Sequence, residues 1–329
     1  MPAPQLSRLL LAVFLAVFAA APARAQTEDP AKFPSRTVRL IVPSPAGGPV
    51  DAVARILADG LRTVWRESII VENKPGAGTS TGAIYVANSP PDGYTLLVIS
   101  DAITVIPSLY PNLDKDPLRQ FAPVTILVEA PQVLVVRADF QASGLRGLID
   151  EAKANPGKLN VASPGAGTIS HLTQVLLEQR TGIKTSHVPF RGAAPAVNAL
   201  LGKHVDASWL MPAPLLSAIA SGQLKALAVT TAGRYAKLPD VPTTEEAGLK
   251  DFQVMNLQGL FAPAGTPKPI VDKIAMAVSD AFRKPEVKER LVKTGFDPRG
   301  DGPGPAVDQV RSNVARWSEV IARGGIKPP

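Results

Sequence analysis

The chain has 329 residues, 45% of them apolar and none of them cysteine. It can bury a large core, more readily as two lobes than as one, and it excludes disulfides, thiolate zinc sites and cysteine nucleophiles. Its formal charge of +7 is scattered, with no Lys/Arg run and no interleaving of aromatic and basic residues, so nucleic acid is not expected as a partner.

The first 25 residues read as an export signal. Arg8 supplies a basic start, 9–21 is an unbroken apolar run, and Ala23-Arg24-Ala25 is an A-x-A cleavage pattern ahead of Gln26. The run is short for a bilayer span and ends in small residues, which predicts cleavage near Ala25 over anchoring. No later stretch is apolar enough to span a membrane.

Beyond the signal, apolar strands are predicted at 38–42, 69–72, 95–100, 124–129, 133–136, 159–163, 185–188, 207–210 and 224–229. Helices are predicted at 50–65, 81–88, 145–155, 170–179, 194–201 and 214–221, and three proline-started helices follow at 269–282, 285–294 and 305–322. Such alternation predicts an α/β protein with parallel-type sheets flanked by helices. Two stretches, 122–136 and 252–263, lack helices and are the expected crossings between lobes. They divide the mature chain into a discontinuous first lobe, 26–126 plus 253–329, and a second lobe, 127–252, with the ligand cleft between them at the carboxyl ends of the strands. Hinge residues are expected within 124–131 and 252–259.

The first predicted strand runs into Ser44-Pro45-Ala46-Gly47-Gly48, and a helix starts at once. A helix opening on such a turn aims unpaired N–H groups and the positive end of its dipole beyond the strand, which makes an anion site. The arrangement repeats where K-L-N-V-A-S at 158–163 meets P-G-A-G-T at 164–168, ahead of the helix at 170–179. Two such turns facing each other would grip a carboxylate from both sides.

Several nearby side chains have two readings. Asp51 either complements the dipole of its helix or makes the pocket polar. His171 either caps its helix or touches ligand. Asp206 either orients a ligand hydroxyl or ammonium or is a loop acid. Gly78-Thr79-Ser80-Thr81-Gly82 matches G-x-S-x-G and raises a serine hydrolase using Ser80 as the alternative function, but Asn73-Lys74-Pro75-Gly76 breaks the strand that an esterase elbow needs. Neither Gly76-Ala77-Gly78 nor Gly165-Ala166-Gly167 completes a dinucleotide fingerprint, and the three histidines lack metal-ligand spacing, so no cofactor and no metal site are expected.

Seven segments occur in one order: P-A-G-G-P-V-D at 45–51, E-N-K-P-G-A-G at 72–78, P-D-G-Y-T-L-L at 91–97, G-A-G-T-I-S-H-L at 165–172, H-V-P-F-R-G-A-A-P-A at 187–196, L-P-D-V-P-T-T-E-E-A-G at 238–248 and A-P-A-G-T-P at 262–267. With them the mature chain resembles the Bug-type solute-binding proteins of tripartite tricarboxylate transporters. The resemblance implies a periplasmic, monomeric, two-lobed binding protein of type II-like architecture. Such a protein closes on a small organic acid (a mono-, di- or tricarboxylate, or an amino acid) and presents it to a membrane permease; a signalling partner in the permease's place is a further alternative. Carried onto this sequence, the carboxylate falls to Ala46, Gly47 and Gly48 in the first turn and to Ser163, Gly165, Gly167 and Thr168 in the second. Ser44 stands where the family usually has an aromatic residue, which makes one wall of the site more polar or more open. Phe190-Arg191, Asn198, Lys203 and His204 are further departures.

Overall fold

Two sheets of mixed direction carry the molecule. The computed structural model describes residues 29–109, 116–141 and 143–327, and the signal peptide expected over 1–25 lies outside them. Residues 34–329 make up one unit, to which all that follows refers.

In chain order, β1 (Val38–Val42) leads to α1 (Pro49–Trp65), β2 (Ile69–Asn73), a 3-10 turn at Ala77–Thr79, α2 (Ser80–Ala87), β3 (Thr95–Ser100), α3 (Ala102–Leu109) and the short α4 (Pro117–Gln120). The long β4 (Phe121–Pro131) crosses to β5 (Val133–Arg137). Then come α5 (Gly144–Ala154), β6 (Asn160–Ser163), α6 (Ile169–Thr181), β7 (Ser186–Pro189), α7 (Ala193–Leu201), β8 (Ala207–Leu210), α8 (Leu216–Ala220) and β9 (Leu224–Val229). β10 (Met255–Pro263) returns to the first sheet, followed by α9 (Lys268–Phe282), α10 (Pro285–Lys293), the two-residue β11 (Asp297–Pro298) and α11 (Pro303–Gly324).

Sheet one has the order β11-β4-β10-β3-β1-β2 and sheet two the order β7-β6-β8-β5-β9. The predicted parallel pairing holds for β1 with β2 and β3, and for β6 with β7 and β8. The crossing strands depart from it. β10 enters sheet one at the carboxyl edge of β3, with Gln258 opposite Ser100, and runs back antiparallel; β5 enters sheet two opposite Leu210, at the carboxyl edge of β8. A chain that crosses at the edge where the parallel strands end has to run against them. Only Gln132 separates β4 from β5, so the first crossing is a single buried residue.

Period-two burial fixes both faces of sheet two. Leu134 and Val136 of β5 pack with Leu172, Trp209 and Trp317, whereas Val133 and Val135 pack with Ala196, Leu200 and Leu210 on the opposite face. α11 packs on both sheets. Val310 joins the core of sheet one with Ile41, Leu97 and Phe261, and Trp317, Val320 and Ile321 of the same helix join the core of sheet two. α3 was not legible as a helix, because Pro107 and the β-branched Ile103, Thr104, Val105 and Ile106 oppose it locally. Burial of nearly all its side chains overrides that propensity. Among the described residues no helix is long and apolar enough to cross a membrane.

Candidate ligand-binding cleft

The carboxyl edges of the two sheets face a cavity of about 750 Å³. Its first wall begins where β1 ends. Gly47 turns the chain at φ +82, Gly48 caps α1 in extended geometry at φ −77 and ψ 170, and Pro49 occupies the first helical turn, where its missing N–H costs nothing. Ala46, Gly48 and Val50 line the cavity, and their backbone N–H groups donate to no group among the described residues. The second wall repeats the device after β6, with Gly165 at φ +155 and Gly167 at φ +74. Thr168 caps α6, and Ala166, Ile169 and Ser170 line the cavity with N–H groups that have no partner among the described residues. A Cβ on Gly167 would stand 2.8 Å from Cδ1 of Leu109, so α3 packs directly against this glycine.

Behind each wall a side chain four residues on takes the amide of the glycine in left-handed geometry. Gly47 N–H donates to Asp51 Oδ2 at 2.9 Å, and Gly167 N–H donates to His171 Nδ1 at 3.1 Å. The Asp51 carboxylate also accepts from Arg55 Nε and from Asn73 Nδ2, each at 2.9 Å. Burial works against its charge, but hydrogen bonds from Arg55, Gly47 and Asn73 hold its pKa down at about 2, so it is an anion. His171 is buried and stacked on His187, ring centroids 3.7 Å apart and planes 6° from parallel. Burial first, and the charge of His187 second, push the His171 pKa down to about 4, so both the geometry and the charge balance require a neutral imidazole accepting at Nδ1. Ser163 Oγ lies 2.6 Å from His187 Nε2 and accepts the Gly165 N–H, which ties the second turn to the stacked rings.

The residues expected from sequence therefore separate into three groups. Ser44, Ala46, Gly47, Gly48, Gly167 and Thr168 line the cavity, although the Gly47 and Gly167 amides are already engaged. Asp51, Ser163, Gly165 and His171 shape the two turns from behind and do not line it. Asp206 is placed elsewhere. It precedes β8 at the amino edge of sheet two, where it accepts from Asn160 N–H at 2.9 Å and from Arg137 Nε at 3.1 Å, because a residue just before a parallel strand sits at the edge away from the cleft. Ser80 has a buried Oγ with no hydrogen-bond partner among the described residues, so none of them stands on it as a base. Among the described residues no group of three His, Cys, Asp or Glu is arranged to hold a metal.

Three cleft features lay outside the sequence expectation: the apolar face of α3 with Val105, Ile106 and Leu109, the Asn256-Leu257-Gln258 start of β10, and Asp101. The same strand-to-helix logic reaches Asp101, which directly follows an apolar strand, but the absence of a glycine turn hides it. Among the described residues Asp101 is the one ionisable side chain lining the cavity, and neither Lys nor Arg is present there.

The neutral histidine pair carries a pH signature. The unfolded chain takes up protons near pH 6.5 while folded His171 resists them to about pH 4, so stability is full above pH 6.5 and falls as pH drops toward 4. For His171 the loss is about 3 kcal/mol, and His187, whose pKa burial also lowers, adds to it. Urea unfolding between pH 7 and pH 4 measures it, and His171→Asn is expected to flatten that limb.

A cleft between two α/β sheets joined by crossing strands, with two helix N-termini along it, is the architecture of the periplasmic solute-binding proteins that this chain resembles. The family model described as tripartite tricarboxylate transporter family receptor matches residues 53–326, and the chain belongs to that family. Among solved structures, the periplasmic binding protein BugD is 37% identical, with 90% of this chain and 100% of that one covered, at a TM-score of 0.72. MatC from Rhodopseudomonas palustris with bound malate is 36% identical, covering 88% and 100%, at 0.72. A second R. palustris protein, with adipate, is 30% identical, covering 90% and 100%, at 0.74.

Proposed function

We propose that this protein captures a small organic carboxylate between its two lobes and delivers it to the permease of a tripartite tricarboxylate-type transporter, working in the periplasm after loss of residues 1–25. The observation that carries the reading is the set of amides of Ala46, Gly48, Val50, Ala166, Ile169 and Ser170, on two turns lining one cavity, which among the described residues have no partner and no Lys or Arg beside them in the lining. Six N–H donors and two helix dipoles suit one carboxylate, directly or through water. The malate and adipate in the related structures fit the same chemistry. Release of the ligand unchanged follows, because no activated nucleophile faces the cavity.

A ligand that touches both walls favours the closed arrangement, with rotation at Gln132 and near Val254, where the two crossings pass. Both points are held by one residue. Thr230 N–H donates to the Gln132 carbonyl, its Oγ1 accepts from Gln132 N–H at 2.9 Å, and the Val254 carbonyl accepts from the same hydroxyl. A thermal-shift panel of organic acids tests the reading, since a ligand at 100 times its Kd adds about 2.7 kcal/mol to stability. Small-angle scattering with the best acid is expected to show a smaller radius of gyration. A panel in which no carboxylate stabilises the protein would overturn the proposal.

A further inference from the structure

The floor of the cleft holds an acid with no cation. Asp101 closes β3 and starts α3. Its N–H donates to the Leu257 carbonyl at 3.1 Å, extending the ladder that pairs Ser100 with Gln258. Its own carbonyl is taken by Thr104 N–H at 2.8 Å as the helix begins. The side chain therefore replaces the carbonyl as acceptor, and Oδ1 receives Leu257 N–H at 2.9 Å. That bond uses one oxygen of a residue only 7% exposed, and among the described residues no Lys, Arg or His side chain hydrogen-bonds to the other. Gln258, also lining the cleft and 2% exposed, carries a side-chain oxygen with no partner. A buried, unpartnered Gln258 oxygen and a carboxyl group held by backbone amides alone thus stand beside a cavity whose other described lining residues include no titratable side chain. An unpaired acid in such surroundings is costly as an anion, and burial pushes the Asp101 pKa up to about 8 despite the Leu257 amide.

We propose that Asp101 is the specificity-determining residue of the cleft, selecting ligands that carry an ammonium group as well as the carboxylate, and that the Asp101 carboxylate is the counter-ion of that ammonium. An ammonium offers several N–H donors to the Asp101 carboxylate and the Gln258 oxygen, and it brings the positive charge the floor lacks. A second carboxylate in that place meets an acid and no cation. The apolar walls from Val105, Ile106, Leu109, Leu210 and Met211 then cover the body between the two charged ends. This inference rests on the carboxylate reading above and narrows its ligand class.

The test uses protein purified from the periplasm and calorimetric titration with matched probes: 6-aminohexanoate, hexanoate and adipate, which share six carbons, and leucine with 4-methylpentanoate. At least one amine is expected to bind about tenfold or more tighter than its amine-free partner, with adipate behind the amines. Binding of the amine is also expected to release a proton from Asp101, read as an enthalpy that changes with the ionisation enthalpy of the buffer. Asp101→Asn keeps an oxygen for Leu257 N–H, so it is expected to fold, to bring the affinity ratio close to one and to abolish the buffer dependence. Equal or tighter binding of the amine-free acids or of adipate overturns the proposal and leaves the carboxylate reading standing, as does an unchanged ratio in folded Asp101→Asn. Failure of these probes and of every other carboxylate overturns both.

Discussion

Gly48→Val is expected to weaken carboxylate binding by about a hundredfold or more while changing stability by only about 1 kcal/mol. The geometry separates the two effects. Gly48 sits at φ −77 and ψ 170, extended backbone that any residue adopts, and a Cβ there meets nothing nearer than the Pro45 carbonyl at 3.4 Å. A β-branched residue is a poorer helix cap than glycine, which accounts for the small stability loss. Its methyl groups crowd the Gly48 and Val50 amides that an anion must approach. Gly167→Val is a less clean experiment, since φ +74 strains any L side chain and Leu109 Cδ1 lies 2.8 Å from the added carbon. Calorimetric titration with urea unfolding of the same Gly48→Val preparation decides the matter: wild-type affinity in the folded variant removes the first turn from the site.

Asp51→Ala is expected to cost about 2–4 kcal/mol of stability and to weaken ligand binding with it. The 3% exposed carboxylate gathers Gly47 N–H, Arg55 and Asn73, and Asn73 Nδ2 also reaches the Ser44 carbonyl at 3.0 Å. Removing it leaves an amide and a carboxamide without their acceptor and frees the turn that presents Gly48. The pH dependence gives an independent check. The Asp51 pKa is about 2 when folded against 3.8 ordinarily, so its ionisation contributes about 2 kcal/mol that is whole above pH 4 and lost as pH falls toward 2. That window lies below the histidine one. Urea midpoints at pH 7, 4 and 2.5 are expected to converge between wild type and Asp51→Ala at the acid end, and a gap that stays constant would assign the residue a purely steric role.

The glycine turns were readable in the sequence because their chemistry is local: an apolar strand, residues that accept positive φ, and a helix start within a few positions. Asp51 and His171 were visible as residues near those turns, but their targets were not. Both reach back four residues to an amide, and His171 is kept neutral by burial together with His187, sixteen positions away in sequence, which stacks on it. Asp206 misled for the converse reason, since a loop acid before a strand looks the same at either edge of a sheet, and only the register of β6 with β8 shows which edge it occupies. Asp101 and Gln258 depend on pairing between residues more than 150 positions apart, and a single sequence gives no handle on such pairing. The straddling course of α11 was hidden likewise. Its apolar stripe is regular, but two different cores receive it.

The strand order also dictates when each sheet can be completed. All five strands of sheet two lie within residues 133–229, so they can pair as soon as that length of chain has emerged. Sheet one cannot. β10 is inserted between β3 and β4, and the other neighbour of β4 is β11 at residues 297–298. Until residue 263 is available, β3 has a bare edge and the eleven-residue β4, with Val124, Ile126, Leu127 and Val128 for its apolar faces, has no partner on either side. Long apolar strands with open edges are templates for wrong association, so the vulnerable interval in the life of this chain is the passage of about 130 residues between the end of β4 and the end of β10.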